Sequence, residues 1–294
     1  MKQLIVTADD FGLAEPVNEA VEQAHRRGIL TAASLMVAAP AAADAIARAR
    51  RMPDLGVGLH LVLMDGAPVL PPADIPALVG RDGILSERPA RTGAAIFFSR
   101  RVRRQVEAEI RAQFEAFRRT GLPLDHVNTH HHYHLHPTVF DIILDIAADY
   151  GAPAIRVVYE PFWHSWRAMR DDLGRRLANG ILHLPLIHRM RRRLRRAGIA
   201  SNDRMFGLND SGRMTRQRLL ALLAALPAGV SEIYCHPATR RWDGPFAPRP
   251  DYRCVEEFEA LIDPQVAAAV RAHGVTTIPF SRITLPDVVP VAVH

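Results

Sequence analysis

Cysteine is nearly absent: Cys235 and Cys254 are the only two in 294 residues, and they form no CxxC pair. This excludes a disulfide framework and a cysteine zinc site, and it makes a reducing cytoplasm the simplest home. Lysine is scarcer still, with Lys2 alone, so arginine carries almost all of the net charge of +6. A GC-rich genome would account for that bias. The runs Arg100 to Arg104 and Arg189 to Arg196 nevertheless concentrate charge on local faces. No apolar stretch reaches the roughly 20 residues of a transmembrane helix. The opening run Leu4-Ile5-Val6 is too short for a signal peptide and ends at acidic residues. The expectation is a protein that is soluble or lies on a membrane surface. There is no internal repeat and no nucleic-acid readout motif.

What is present is a 48% hydrophobic chain long enough to bury a full core. Short β-rich runs alternate with helical patterns, the mark of a parallel sheet with crossover helices. Strands are expected at Gln3 to Ala8, Leu30 to Met36, Val57 to Leu63, His126 to His132, Ile155 to Val158, Phe206 to Leu208, Ser231 to Cys235 and Val275 to Phe280. Helices are expected at Pro16 to Arg27, Ala41 to Arg51, Val102 to Arg119, Pro137 to Tyr150, Thr215 to Leu226 and Val255 to Ala272. About eight βα steps in one domain, residues 1–294, favour a barrel over an open sheet. Two stretches break the rhythm, the loop-like 64–99 and the basic 160–210, and both are expected to be excursions over the catalytic face.

Asp9-Asp10, His60, His130 and His236 all fall at or near the C-terminal ends of expected strands, the face on which barrel enzymes build their sites. His126, His130, His131, His132, His134 and His136 crowd into eleven residues. Imidazole is the commonest metal ligand, and no local structural role needs so many. Adjacent carboxylates point apart on a regular strand, but Gly12 would let the chain turn so that both reach one cavity. Taken singly, each residue has a plainer reading: a solvated turn with Asp10 capping a helix, or core histidines at 60 and 236. Their conjunction favours a metal site. Cys235-His236 is a poor thiol hydrolase pair, because neighbours on a strand face opposite ways.

These residues carry a specific resemblance. The order Ala8-Asp9-Asp10-Phe11-Gly12-Leu13, Ser34-Leu35-Met36, Gly58-Leu59-His60, His126-x-Asn128-x-His130-His131-His132 with Tyr133 and His134, then Glu232-Ile233-Tyr234-Cys235-His236-Pro237 is similar to the YdjC-like carbohydrate deacetylases. The run Ala32 to Val37 and Leu122 to Asn128 resemble the branch associated with hopanoid biosynthesis, HpnK. The resemblance implies an α/β fold, a distorted TIM-like (β/α) barrel of about seven strands related to polysaccharide deacetylases. It also implies removal of acetyl from an N-acetylated sugar. It makes Asp10, His60 and His130 the metal ligands, Asp9 the catalytic base, His236 the general acid, and Arg156 a group orienting Asp9 or the substrate. Asn128 stands where many relatives carry aspartate, which argues against direct ligation and for a supporting role. His131, His132 and His134 are expected to line the site or stand behind it.

Three protein ligands leave a metal position open for water and a carbonyl. Zinc suits the mixed donors first, with nickel, cobalt, manganese and more weakly magnesium as alternatives. The excursion 160–210 adds Trp163 and Trp166 as substrate-facing aromatics and an arginine-rich segment suited to an anionic membrane surface; an ordinary solvated helix is the alternative. The expected substrate is an N-acetylglucosaminyl hopanoid. Its rivals are soluble N-acetylated oligosaccharides, and a metal-binding membrane-surface protein without catalysis. A homodimer stays open.

Overall fold

The computed structural model describes residues 1–86, 89–244 and 246–284. Seven parallel strands form one sheet: β1 (Lys2–Phe11), β2 (Ala32–Leu35), β3 (Gly56–Leu61), β4 (Val127–Thr129), β5 (Arg204–Phe206), β6 (Gly229–Cys235) and β7 (Val275–Thr277). The order is β4-β3-β2-β1-β6-β5. Because β6 follows β1 from Lys2 to Ala8, the other edge of β1 is shared, with β7 along Lys2 to Leu4 and β2 from Thr7 onward. Leu4, Ile5, Val6, Ala8 and Phe11 of β1 are all fully buried. That is the pattern of a strand covered on both faces, and each large apolar side chain contributes about 1.5–3 kcal/mol.

The expected strand Ile155 to Val158 forms only single bridges, Val127 to Ile155 and Ala154 to Ala200. It still closes the gap between β4 and β5. The Asn202 side chain accepts from Val157 N (2.7 Å) and donates to Val157 O (2.9 Å), standing in for a neighbouring strand. The result is the distorted barrel expected from the sequence, a curled sheet rather than eight regular strands.

Eleven α-helices are found among the described residues: α1 (Glu15–Arg27), α2 (Ala42–Ala49), α3 (Pro89–Phe98), α4 (Arg100–Arg119), α5 (Pro137–Asp149), α6 (Phe162–Met169), α7 (Leu173–Leu182), α8 (Leu184–Ala197), α9 (Arg216–Ala225), α10 (Cys254–Leu261) and α11 (Pro264–Ala272). The single helix expected over Val255 to Ala272 is two, because Pro264 cannot sit inside a helix and Asp263 caps a new one by accepting from Gln265 N (2.7 Å). Stretch 64–99 ends in α3 and stretch 160–210 contains α6 to α8, so neither is merely loop. Buried Arg176 on α7 ties the second stretch together through Asp210 at 2.9 Å and Asp171 at 2.6 Å, and Arg218 of α9 pairs with both carboxylates from outside it. Ile187, Met190 and Leu194 of α8 are buried, while Arg189 and Arg193 pair with Asp141. Part of the arginine run is therefore committed to the protein itself.

Candidate active site

Both acidic residues at the end of β1 reach one cavity because the strand is irregular there. The register against β2 shifts between Ala8 and Phe11, and Asp10 adopts φ +63°. A bulge of this kind re-aims one side chain, so the turn begins at Asp10 itself, before Gly12. The expected strand through His132 likewise stops at Thr129. His131 and His132 take φ of +53° and +54° in a tight turn, which swings consecutive imidazoles to different walls instead of alternating them.

Asp9 is the more enclosed carboxylate. Arg156, fully buried, donates from Nη1 to Asp9 Oδ2 (2.6 Å) and from Nη2 to Asp9 Oδ1 (2.9 Å). The same guanidinium donates from Nε and Nη2 to Glu232 on β6, which also accepts from Thr7 Oγ1 (2.8 Å). Ser34 Oγ (3.0 Å) and Asn128 Nδ2 (3.3 Å) add donors to Asp9 Oδ1. Burial alone would raise the Asp9 carboxyl, but Arg156 and, more distantly, His60 outweigh it and hold it well below the usual carboxylate range.

Among the described residues no guanidinium pairs with Asp10. Its Oδ1 lies 3.3 Å from His60 Nε2 and 3.1 Å from His130 Nδ1, neither in hydrogen-bonding geometry. Asp10 Oδ1 and His60 Nε2 are both buried and both lack a hydrogen-bond partner among the described residues. Such orphaned atoms are costly unless something else satisfies them. A carboxylate oxygen and two ring nitrogens gathered within 4.8 Å fit a divalent cation. The pKa of His60 is depressed by burial but raised more by Asp9 and Asp10. A second group, Asp65, His130 and His131, lies at the mouth, with Asp65 Oδ2 3.3 Å from His131 Nε2.

His236, beyond the end of β6, closes the other side with Nε2 3.9 Å from Asp10 Oδ2. Burial lowers its pKa, against the pull of Asp10 and Asp9. Its backbone N–H donates to buried Glu257 (2.6 Å). Cys235 beside it is a buried thiol with its pKa pushed well up by burial, as an unreactive core cysteine requires.

These groups open into a cavity of about 290 Å³ whose wall includes Asp9, Asp10, His60, His130, His132 and His236. His132 faces Tyr234, with Nε2 3.1 Å from the phenol oxygen. His134 stands behind the wall, between Thr129 Oγ1 (2.6 Å) and Arg156 O (3.1 Å). Trp163 and Trp166 are not part of this wall; they stack on each other 5.4 Å apart on α6. Trp242 and Tyr252 provide the cavity's apolar faces instead. Sequence reasoning gave no role to Trp242, Tyr252, Ser34 or Glu232. For Glu232 a signal existed, a charged residue inside an apolar strand run.

Residues 3–272 match the family described as YdjC-like protein. A carbohydrate deacetylase of Geobacillus stearothermophilus is 33% identical over 279 residues, covering 94% of this chain and 96% of its own. A carbohydrate deacetylase of Brevibacillus brevis is 38% identical over 181 residues, 62% of this chain and 68% of its own. The crystal structure of an Enterococcus faecalis protein, provisionally assigned to cellobiose-phosphate cleavage, superposes with a TM-score of 0.75 at 24% identity. The match covers 97% of this chain and 99% of that one, and it establishes the shared fold.

Proposed function

This chain belongs to the YdjC-like protein family, and from that premise we propose that it is a metal-dependent hydrolase removing the acetyl group from an N-acetylated sugar. The observation that carries the reading is a pair of neighbouring carboxylates in opposite states. Asp9 is locked by Arg156, while Asp10 turns an unpartnered oxygen toward an unpartnered nitrogen of His60.

Asp10, His60 and His130 would hold the divalent ion, zinc first among nickel, cobalt, manganese and magnesium; bound there it supplies Lewis acidity, acidifying the attacking water and stabilising charge on the amide oxygen. Asp9 takes a proton from that water. Its Oδ1 already accepts from Ser34, Asn128 and Arg156, whereas among the described residues Oδ2 accepts only from Arg156 Nη1, so Oδ2 keeps the free lone-pair capacity. Arg156 makes Asp9 a weaker base but keeps it ionised and aimed. His236, once protonated against the burial that lowers its pKa, donates a proton to the departing nitrogen. The water's hydroxyl joins the acetyl carbon, the C–N bond breaks, and the amine leaves protonated.

A cavity of about 290 Å³ faced by Trp242 and Tyr252 suits a sugar ring, whose C–H faces pack on aromatics while its hydroxyls meet polar groups at the rim. The finer reading is an N-acetylglucosaminyl hopanoid, reached at a membrane surface. Its support is the sequence resemblance and a set of exposed apolar side chains on α6 and α7: Trp163, Leu173, Ile181 and Leu182. No helix among the described residues is long and apolar enough to cross a membrane, so contact would be peripheral.

The test is to incubate the metal-reconstituted protein with an N-acetylglucosaminyl hopanoid and with N,N'-diacetylchitobiose, following loss of one acetyl group by mass spectrometry. Loss that disappears in Asp9→Asn, with metal retained, is expected. Faster turnover of the chitobiose would assign the enzyme to soluble oligosaccharides. Metal-loaded protein that hydrolyses neither would overturn the reading.

A further inference from the structure

Beneath Asp9, on the side away from the cavity, the barrel interior holds a polar chain that the hydrolysis described above does not use. It begins with two glycines. A Cβ at Gly58 would lie 2.4–2.5 Å from the His126 ring, and one at Gly56 would lie 2.6 Å from the Asp125 carboxyl. Barrel interiors are ordinarily filled by branched apolar side chains. Here β3 gives up two side chains so that an imidazole and a carboxylate fit.

Both groups are buried, His126 completely. Asp125 is fixed from behind, accepting from Phe280 N (3.2 Å) and Ser281 N (2.9 Å). Burial pushes its carboxyl up, but His126 and Ser281 outweigh that and hold it below the ordinary value. Asp125 Oδ2 therefore accepts a hydrogen from His126 Nδ1, at 2.9 Å. The ring stacks on Phe280 at 4.4 Å, which fixes its plane. Its other nitrogen, Nε2, lies 3.0 Å from Ser34 Oγ, and Ser34 lies 3.0 Å from Asp9 Oδ1.

Ser34 has one hydrogen and three polar neighbours. Asn128 Nδ2 donates to it at 2.8 Å, so the hydroxyl hydrogen is left to Asp9 or His126. When Nε2 carries a hydrogen and donates it to Ser34, the hydroxyl hydrogen goes to Asp9, Oδ1 is saturated by three donors and Oδ2 keeps capacity to spare; when Nε2 accepts from Ser34 instead, Oδ1 keeps two donors.

We propose that His126, held by Asp125, is a positioning residue for Asp9 that acts through Ser34 and determines which carboxylate oxygen faces the water. The inference rests on the deacetylase reading for its kinetic consequence, but its structural consequence can be read without turnover.

The experiment is a double-mutant cycle on the metal-loaded full chain with N,N'-diacetylchitobiose as probe. His126→Phe and Ser34→Ala should each lower kcat about 10- to 100-fold with KM and bound metal unchanged. The double variant should be no worse than Ser34→Ala alone, because groups acting as a unit are not additive. His126→Gln, which keeps a polar atom toward Ser34, should recover part of the loss. Additive losses, or a loss carried by KM or by metal content, would overturn the proposal. If the phenylalanine is not tolerated, Asp125→Asn replaces His126→Phe in the same cycle. Independently of activity, a crystal structure of the His126 or Asp125 variant should show the Asp9 carboxylate rotated relative to Arg156. An unmoved carboxylate would overturn the inference even where the wild type hydrolyses its substrate. A wild type inactive on N-acetyl sugars would instead sink the reaction and leave the rotation to decide the positioning.

Discussion

His60 Nδ1 lies 2.6 Å from Asn128 Oδ1. The Asn128 amide nitrogen is engaged as a donor to Ser34 and Asp9, so its oxygen faces the ring and can only accept. The hydrogen must then sit on His60 Nδ1, so that in the neutral ring Nε2 is bare toward Asp10, as a ligating nitrogen has to be. Asparagine thus performs the orienting task without adding a third carboxylate beside Asp9 and Asp10.

Replacing that amide by Asn128→Leu should weaken metal binding about 10- to 100-fold, the usual effect of losing a partner behind a ligand. Asn128→Asp should retain the metal. Calorimetric titration of the apo protein with zinc measures both, and an unchanged affinity in the leucine variant would contradict the orienting role.

Arg156 binds two carboxylates at once, with Asp9 and Glu232 both buried beside it. Removing the cation leaves both uncompensated. Arg156→Met should cost about 3–5 kcal/mol of stability, and the combined Arg156→Met, Glu232→Gln variant should cost less than Arg156→Met alone. Urea unfolding of the variants tests this; a double variant weaker than the single would show that Glu232 is held by something other than the guanidinium.

The meeting of Asp9, Asp10, His60, His130 and His236 was legible because parallel α/β folds gather strand ends at one face, and polar residues at strand ends stand out in sequence. The groups that hold them were harder to see. Ser34, Asp125 and Glu232 act on other side chains inside the barrel, and nothing in local spacing marks a strand serine as a donor to a carboxylate 25 residues away. The alternation His130, His132, His134 imitates a strand, whereas the left-handed conformation at His131 and His132 is set by packing that a sequence pattern does not carry. Trp163 and Trp166 read as site aromatics because they stand among arginines. Neither lines the cavity, whereas Trp242, distant in sequence, does.

Trp163 is 51% exposed and Leu182 71%, on helices where arginines also face solvent. Since Arg189 and Arg193 are already paired with Asp141, the apolar residues should matter more for membrane contact than those two arginines. Trp163→Ser with Ile181→Ser and Leu182→Ser should reduce co-sedimentation with anionic vesicles by tenfold or more, while Arg189→Gln should change it little. Unchanged sedimentation of the triple variant would remove the support for a membrane-borne substrate.

Glu257 supplies a pH test of the fold that does not involve the metal. It is buried and accepts two backbone N–H bonds at 2.6 Å, from Met214 and His236. Burial dominates these bonds and pushes its carboxyl up from 4.5 to about 7. A carboxyl with a raised folded pKa favours folding most when protonated. Its contribution is therefore fully present below about pH 4.5, is lost as pH rises to about 7, and is flat above, a change on the order of 3 kcal/mol. Glu257→Gln has no such titration. The stability of the wild type minus that of Glu257→Gln, from urea unfolding at matched pH, should fall between pH 5 and 7.5 and then level off. A difference independent of pH would mean that the two N–H donors, rather than burial, set the charge of this carboxyl.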